Sequence, residues 1–466
     1  MINSSKVFNL PKSLVDIQRD YLIKICKGVE GLKCMILDKP TAELISLNFL
    51  QSEGFEMEVF LFEDISSIKE EKLSYVSAIY LINANEKNLT ALFEEIKNPN
   101  FKEYHIFFLN DVSDDIIRKL AENDQQDLIK NLQRIYCNYH APNDEFFHSN
   151  VRSIGRLLSK RSDMWTIEET EGLNRMEESI LSALCSLRKF PTIRYLRDSE
   201  LSLQLADRLS AKLKKLAIAY PSDFERQKNV LIILDRKEDP ITPLLFHWNY
   251  QSLLHEVLQI DCNKIKVNDK EYNLNLQHDE FYKTNLFSNY GDFILALKTK
   301  VEALSAKRQQ NKEIKSFEDM QKLLAHMPDI KKDTNVTVKH FALTDEITKY
   351  VNKHQMLEIS KLEQEIASKD SRKEHLNQII EIFARKDIHI FDKFRLTCLF
   401  CIKYEKSEQA ISLQKMFEEL KPTNEMVMQL AKIQSRCGNA KRVQKAFGTY
   451  LGEKAFQMYK DFFTVR

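Results

Sequence analysis

Within residues 1–140, four short apolar runs recur with helical patterns between them. They are "LKCMILD" (Leu32 to Asp38), "MEVFLFE" (Met57 to Glu63), "SAIYLIN" (Ser77 to Asn83) and "EYHIFFLN" (Glu103 to Asn110). "TAELISLNFLQSEG" and "NEKNLTALFEEIKNP" supply the helical spacing. Apolar runs this short suit strands buried on both faces. Their alternation with helices calls for parallel pairing through crossovers. This part of the chain is therefore expected to be an α/β unit. "SDDIIRKLAENDQQDLIKNLQRIYC" is expected to add one or two helices, with Asp114 and Asp115 near the first turn, where the helix dipole favours carboxylates.

From about Ala141 to Tyr220 the pattern is mostly helical, with "FPTIRYLR" as a strand candidate. "NVLIILD" reads as a buried strand, and the chain beyond it is rich in helix. Two stripes stand out. Ile294, Leu297, Val301 and Leu304 step by three and four, as do Phe317, Met320, Leu324 and Met327. A break at Pro328 followed by a returning helix would make a hairpin over about residues 290–370. Each stripe either packs on its hairpin mate or receives a helix of another protein.

Nine glycines in 466 residues fall far below the usual share of about 7%. No two are separated by a single residue, so G-x-G-x-x-G is absent, as are G-x-x-x-x-G-K-[ST] and G-x-S-x-G. Phosphate-cradling loops need backbone amides that converge without a Cβ in the way, and this chain lacks the usual ones. A net charge of +1 points away from nucleic acid. The small basic clusters, Lys331-Lys332 and "NAKRVQK" (Asn439 to Lys445), read as solvated faces. The amino-terminal stretch reads as an amphipathic helix after a short arm. No run reaches the ~18 apolar residues needed to cross a bilayer. The expectation is a cytosolic chain that meets membranes indirectly. Eight scattered cysteines suit reduced, buried thiols, and "CLFC" (Cys398 to Cys401) lacks the two further ligands of a zinc site.

The stretch "NVLIILDRKEDPITPLLFHWNYQSLLHEVL" (Asn229 to Leu258) places carboxylates just past a strand, where α/β proteins often hold a ligand. "LLHEVLQ" begins like H-E-x-x-H, but Gln259 stands where the second histidine belongs. His247 and His255 are also off the i, i+4 spacing. Lys237 interrupts any D-x-D pair after Asp235, and "MILDKPT" ends in the lone Asp38. A hydrolase or phosphotransferase using Asp235 and Asp239 remains as an alternative without a positive feature. The residues better fit a structural corner. Pro240 and Pro243 block strand continuation, while Asp235, Asp239 and Thr242 cap backbone groups ahead of a helix expected to start around Pro243. Trp248, Tyr250, Leu253 and Leu254 offer a packing surface.

This stretch resembles the hallmark of the SM (Sec/Munc-like) family, which binds syntaxins and assists SNARE assembly. Asp235, Arg236, Asp239, Pro240, Thr242, Pro243, Tyr250, His255 and Glu256 match it in order. "GLKCMILDKPTAELISLNFLQSEGFEMEVFLFEDI" and "HMPDIKKDTNVTVKHFALTDEITKYVNKHQMLEISKLEQEIA" are similar to the endosomal, vacuolar-protein-sorting branch of that family, the one numbered forty-five. The resemblance covers roughly residues 15 to 455.

It implies a non-enzymatic three-domain arch without cofactors: parallel-sheet domains one (1–140) and two (141–245), and domain three (246–400) with the helical hairpin. Residues 401–466 form a helical end, shorter than in the family, with no terminal apolar strand visible. The implied partners are a syntaxin-type SNARE, the assembled SNARE bundle and a vesicle SNARE. The resemblance also assigns roles. Ile117, Leu120, Ala121 and Leu132, the last from a following helix, would form a pocket for a SNARE amino-terminal peptide. Asp38 and Lys39 would contact the syntaxin in a central cavity. Pro328 would be the hinge of the hairpin and Phe341 part of its template face. The implied location is peripheral, at endosomal and Golgi membranes.

Overall fold

The computed structural model describes residues 12–67, 72–151, 164–220, 229–310, 317–405, 407–437 and 463–465, with no side chain described between 307 and 330. The cluster at 439–445 and the stretch from 446 to 462 lie outside the described residues. The chain divides into two compact units, one of residues 1–233 with 464–466, the other of 234–463.

The first unit is built on five strands: β1 Lys33–Leu37, β2 Val59–Asp64, β3 Leu73–Ile82, β4 Phe101–Phe108 and β5 Ile129–Arg134. They lie in the order β2-β1-β3-β4-β5, and every neighbouring pair is parallel. The four apolar runs are β1 to β4. Their alternate residues fill two cores. Met35, Leu37, Ile79, Leu81 and Phe107 face one side; Cys34, Ile36, Tyr80, Ile106 and Phe108 face the other. Apolar residues at consecutive positions are what two buried faces require.

β5 corrects the expectation of a second helix after Asp114. The helix Asp114–Asn123 stops because Asp124 turns its carboxylate onto the amides of Leu128 and Ile129, at 2.8 and 3.0 Å. Asp127 then adopts φ 52°. "IKNLQR" enters the sheet as an edge strand, and its polar residues hid it from the apolar-run criterion.

A second sheet in this unit has the order β10-β6-β7, from β6 Thr192–Leu196, β7 Val230–Ile233 and a terminal strand β10 Phe463–Val465, which the sequence pattern did not reveal. The helices Ile167–Ser186 and Glu200–Ala219 cover one face through Leu173, Leu181, Leu205 and Leu209. "NVLIILD" is a strand, but it is buried on one side only. Leu231 and Ile233 pack inward, while Val230 and Ile232 are 52% and 55% exposed.

Among the described residues the second unit is helical apart from a β-ribbon, β8 Lys264–Val267 and β9 Lys270–Asn273. Its two-residue turn, Asn268-Asp269, takes positive φ at both positions, as a type I′ turn demands. The hairpin exists. Its arms are the helices Tyr290–Gln310 and Phe317–Lys353. Their antiparallel run is set by the Tyr290 and Thr348 hydroxyls at 2.7 Å and the Lys300–Asp333 pair at 3.5 Å. Pro328 does not break the second arm. The helix continues through it, although proline supplies no N–H for the carbonyl of Leu324, one turn earlier.

Beyond Gln355, whose φ of 53° ends that arm, four helices surround Ile390–Lys403, which is buried from Asp392 to Ile402. "CLFC" lies on this central helix as core, with burial pushing the Cys398 thiol up. Two of its lysines cap neighbouring helices. Lys393 donates to the carbonyls of Phe383 and Arg385, at 3.1 and 2.6 Å. Lys403 reaches those of Ile366, Ala367 and Lys369. Cations there complement the carboxyl end of a helix dipole.

Leu399 on this helix is fully buried. Leu399→Ala is expected to lower stability by about 2–5 kcal/mol, read by chemical denaturation.

Candidate functional site

The corner at Asp235–Glu256 belongs to the second unit, and its carboxylates serve the turn. Asp235 accepts from the Lys237 amide at 2.9 Å, and Asp239 accepts from the Thr242 amide at 3.0 Å while pairing with Arg236 at 3.6 Å. Pro243 lies in the short 3-10 turn Thr242–Leu244, so the α-helix does not start there. It starts at Tyr250, with Asn249 accepting from the Ser252 amide as its cap. Asp235, Arg236, Asp239, Pro240, Thr242 and Pro243 thus form one folded bracket.

The partner that explains the bracket is Arg395, which sequence reasoning did not single out. From the central helix its Nε and Nη2 donate to the Leu244 carbonyl, at 3.2 and 3.1 Å, and Nη1 donates to Glu256 at 2.8 Å. Nη2 also lies 3.0 Å from Glu363, which accepts the Phe246 amide at 2.7 Å. Trp248 adds a bond from Nε1 to Ser360 Oγ at 3.1 Å. The matched Glu256 is therefore a structural counter-charge, not half of a zinc motif. A clue lay in the sequence, since an arginine amid "IFDKFRLTCLFCI" on an apolar helix needs acceptors. Burial pushes the Glu363 carboxyl up to about 7, against the opposing pull of Arg395.

In the first unit, Asp38 sits at the carboxyl end of β1, between β2 and β3, the switch point where doubly wound sheets hold ligands. Its own protein fills that place. Asp38 accepts from the amides of Thr41 and Asn83, both at 2.9 Å, and from Asn88 Nδ2 at 2.7 Å. Asn83 continues to Asn138, which takes Arg175 Nη1. Asp38 is buried and its carboxylate is taken up within its own chain, while Lys39 is the exposed member of the pair.

The proposed pocket residues divide as well. Ile117, 42% exposed, and Ala121 lie outward, one turn apart on Asp114–Asn123. Leu120 points into the core, and Leu132 comes from β5 rather than a helix, half-buried against that core. On the hairpin, Phe341 stands 62% exposed and Val338 60% exposed, one turn apart. The side chain of Pro328 lies outside the described residues.

The model of the Sec1 family matches residues 33–457. The chain is 34% identical over 396 residues to vacuolar protein sorting-associated protein 45 of Dictyostelium discoideum, across 83% of this chain and 69% of that protein. It is 30% identical over 389 residues to the Homo sapiens protein of that name, across 81% and 66%. In structure it is similar to the SM protein Vps45 solved in complex with the Qa SNARE Tlg2. That match has a TM-score of 0.84 and 27% identity, over 93% of this chain and 78% of that one. The Unc18–syntaxin 1 complex of Monosiga brevicollis, at 16% identity and a TM-score of 0.76, shares the fold.

Two outcomes follow from the buried Arg395–Glu363 pair. Arg395→Met strands Glu363 without its cation and is expected to cost about 3–5 kcal/mol in equilibrium unfolding. Glu363 holds its proton more tightly folded than unfolded, so the associated stability is full at acid pH. It is lost as pH rises from the ordinary carboxylate range through about 7. Glu363→Gln should flatten the melting temperature across that window.

Proposed function

Because this chain belongs to the Sec1 family, we propose that it binds a syntaxin-type SNARE and assists SNARE complex assembly for vesicle docking and fusion. The observation that carries the reading is the joint match in sequence and fold to Vps45, a protein solved with a Qa SNARE. By that likeness the transport step is endosomal, trans-Golgi or vacuolar, and the chain acts peripherally at those membranes. Among the described residues no helix is long and apolar enough to cross a bilayer.

The reading keeps the three-domain division at 140 and 245 and assigns partners by surface. Ile117 and Ala121, apolar, exposed and on one helical face, suit a short SNARE amino-terminal peptide. The adjoining Asp114 and Asp115 favour a basic residue on that peptide. Lys39 is left to meet the syntaxin. Val338 and Phe341 suit the apolar face of a vesicle-SNARE helix, or of the assembled bundle, laid along the hairpin. The role is binding: Asp235 and Asp239, the carboxylates of the hydrolase alternative, act as turn caps.

The first experiment is capture of a syntaxin-type SNARE by the purified chain; failure to retain one under conditions that retain Vps45 complexes would sink the proposal. Ile117→Arg is expected to abolish amino-terminal peptide binding without unfolding the protein. Phe341→Asp is expected to slow SNARE assembly. Pro328→Ala restores a helix amide and removes up to ~3 kcal/mol of local penalty, so it should favour the continuous arm and tighten vesicle-SNARE binding. Parent-like assembly by both hairpin variants would discard the template role.

A further inference from the structure

Asp279 meets two consecutive residues of the hairpin's returning arm. Its Oδ2 lies 2.8 Å from His340 Nε2 and pairs with Lys339 Nζ. Its Oδ1 accepts the Tyr282 amide at 2.8 Å, which caps the short helix Glu280–Asn285. Lys339 also donates to the Asn273 carbonyl at 2.9 Å. On the other side of the imidazole, Nδ1 lies 2.7 Å from the Tyr250 hydroxyl, and the Tyr250 ring stacks on Phe293 with centroids 3.5 Å apart. Asp279, His340 and Tyr250 are all buried.

An ionised carboxylate only accepts, so Nε2 of His340 carries a proton, and in the neutral ring Nδ1 then accepts the Tyr250 O–H. Burial, together with the nearby Lys339 and Lys300, lowers the tendency of His340 to take a second proton, against the pull of Asp279. Burial would raise the Asp279 carboxyl, but His340 and Lys339 hold it well below the usual carboxylate range.

Apolar packing of the arm, here through the buried Leu343 and Ile347, is less directional than hydrogen bonding. Residues 339 and 340 lie about 100° apart around a helix, so a carboxylate that grips both fixes the arm's rotation from two sides. The residues flanking this grip are Val338 and Phe341, the exposed apolar pair.

We propose that Asp279 is a positioning residue: it sets the rotation of the returning arm and so holds Val338 and Phe341 outward as one apolar face for an incoming amphipathic SNARE-type helix. This rests on the template reading of the hairpin. A buried ion pair of this kind adds little net stability over an apolar replacement; its use is to specify one arrangement.

The test is a double-mutant cycle read on a synthetic vesicle-type SNARE helix, with Asp279→Asn and Phe341→Ala as its arms. Each single substitution is expected to weaken binding about tenfold and the double variant also about tenfold, because a turned arm no longer offers the ring. A loss near a hundredfold in the double variant, the product of independent effects, overturns the proposal. A second pair of variants guards against misfolding. His340→Gln keeps a donor for Asp279 and should bind nearly as the parent does, whereas His340→Leu should bind like Asp279→Asn. Equal binding by the Gln and Leu variants also overturns it. Nitrogen-15 spectra of the His340 ring should show the Nε2–H tautomer in the parent and a mixture in Asp279→Asn, and 4-fluorophenylalanine at position 341 should shift its fluorine signal in that variant. If Phe341→Ala leaves helix binding unchanged, the template reading itself fails. The positioning claim is then decided by the fluorine signal alone, and an unshifted signal refutes it.

Discussion

A single buried guanidinium organises the second unit. Arg395 projects from the most enclosed helix and meets a backbone carbonyl, a glutamate from the Tyr250–Leu258 helix and a glutamate from Met356–Ser368. Its planar fork suits three acceptors from three directions, which a lysine ammonium would satisfy less specifically. Because Glu363 also takes the Phe246 amide, the chain just after the bracket is tied to the bundle at two backbone groups, the Leu244 carbonyl and the Phe246 amide. Lys393 and Lys403 extend the same logic, neutralising the ends of the helices that pack around their own.

This arrangement bears on the proposed function because a surface offered to another protein's helix needs a fixed frame. The returning arm of the hairpin is not held by apolar contacts alone. Tyr250 follows the bracket directly and reaches His340 on the arm, so one short stretch of chain is bonded to the bundle at Leu244 and Phe246 and to the hairpin at Tyr250. The exposed residues that suit partners, Ile117 on one unit and Phe341 on the other, each sit beside buried residues of the same helix, Leu120 and His340. The faces proposed for partners and the core faces are thus two sides of the same elements.

Much of this was legible beforehand. Continuous apolar runs identified β1 to β4 because both faces of that sheet are covered. The prolines and aspartates of 235–243 announced a turn because their chemistry is local. The misses share a cause in long-range structure. β5 is an edge strand whose polar residues are tolerated by solvent, and Asp124 starts it by capping amides four and five residues ahead. β7 looked fully buried, yet one face has no cover among the described residues. Pro328 looked like a break, but the long helix runs through it with one lost hydrogen bond. Asp38 looked available and is spent on Asn83 and Asn88, which follow it by 45 and 50 residues.

The sequence by itself determined the alternation of strand and helix, the lack of the usual nucleotide-binding loops, the hairpin and the family resemblance, because these rest on periodicity, residue type and local order. Only the tertiary structure decided which charged residues are partners of one another and which face the outside. Arg395 finds Glu256 across 139 positions and Leu244 across 151, and His340 finds Asp279 across 61. No local pattern encodes such pairings. They are fixed when burial strips water from each group and leaves it only the acceptors and donors that the packed helices bring within reach.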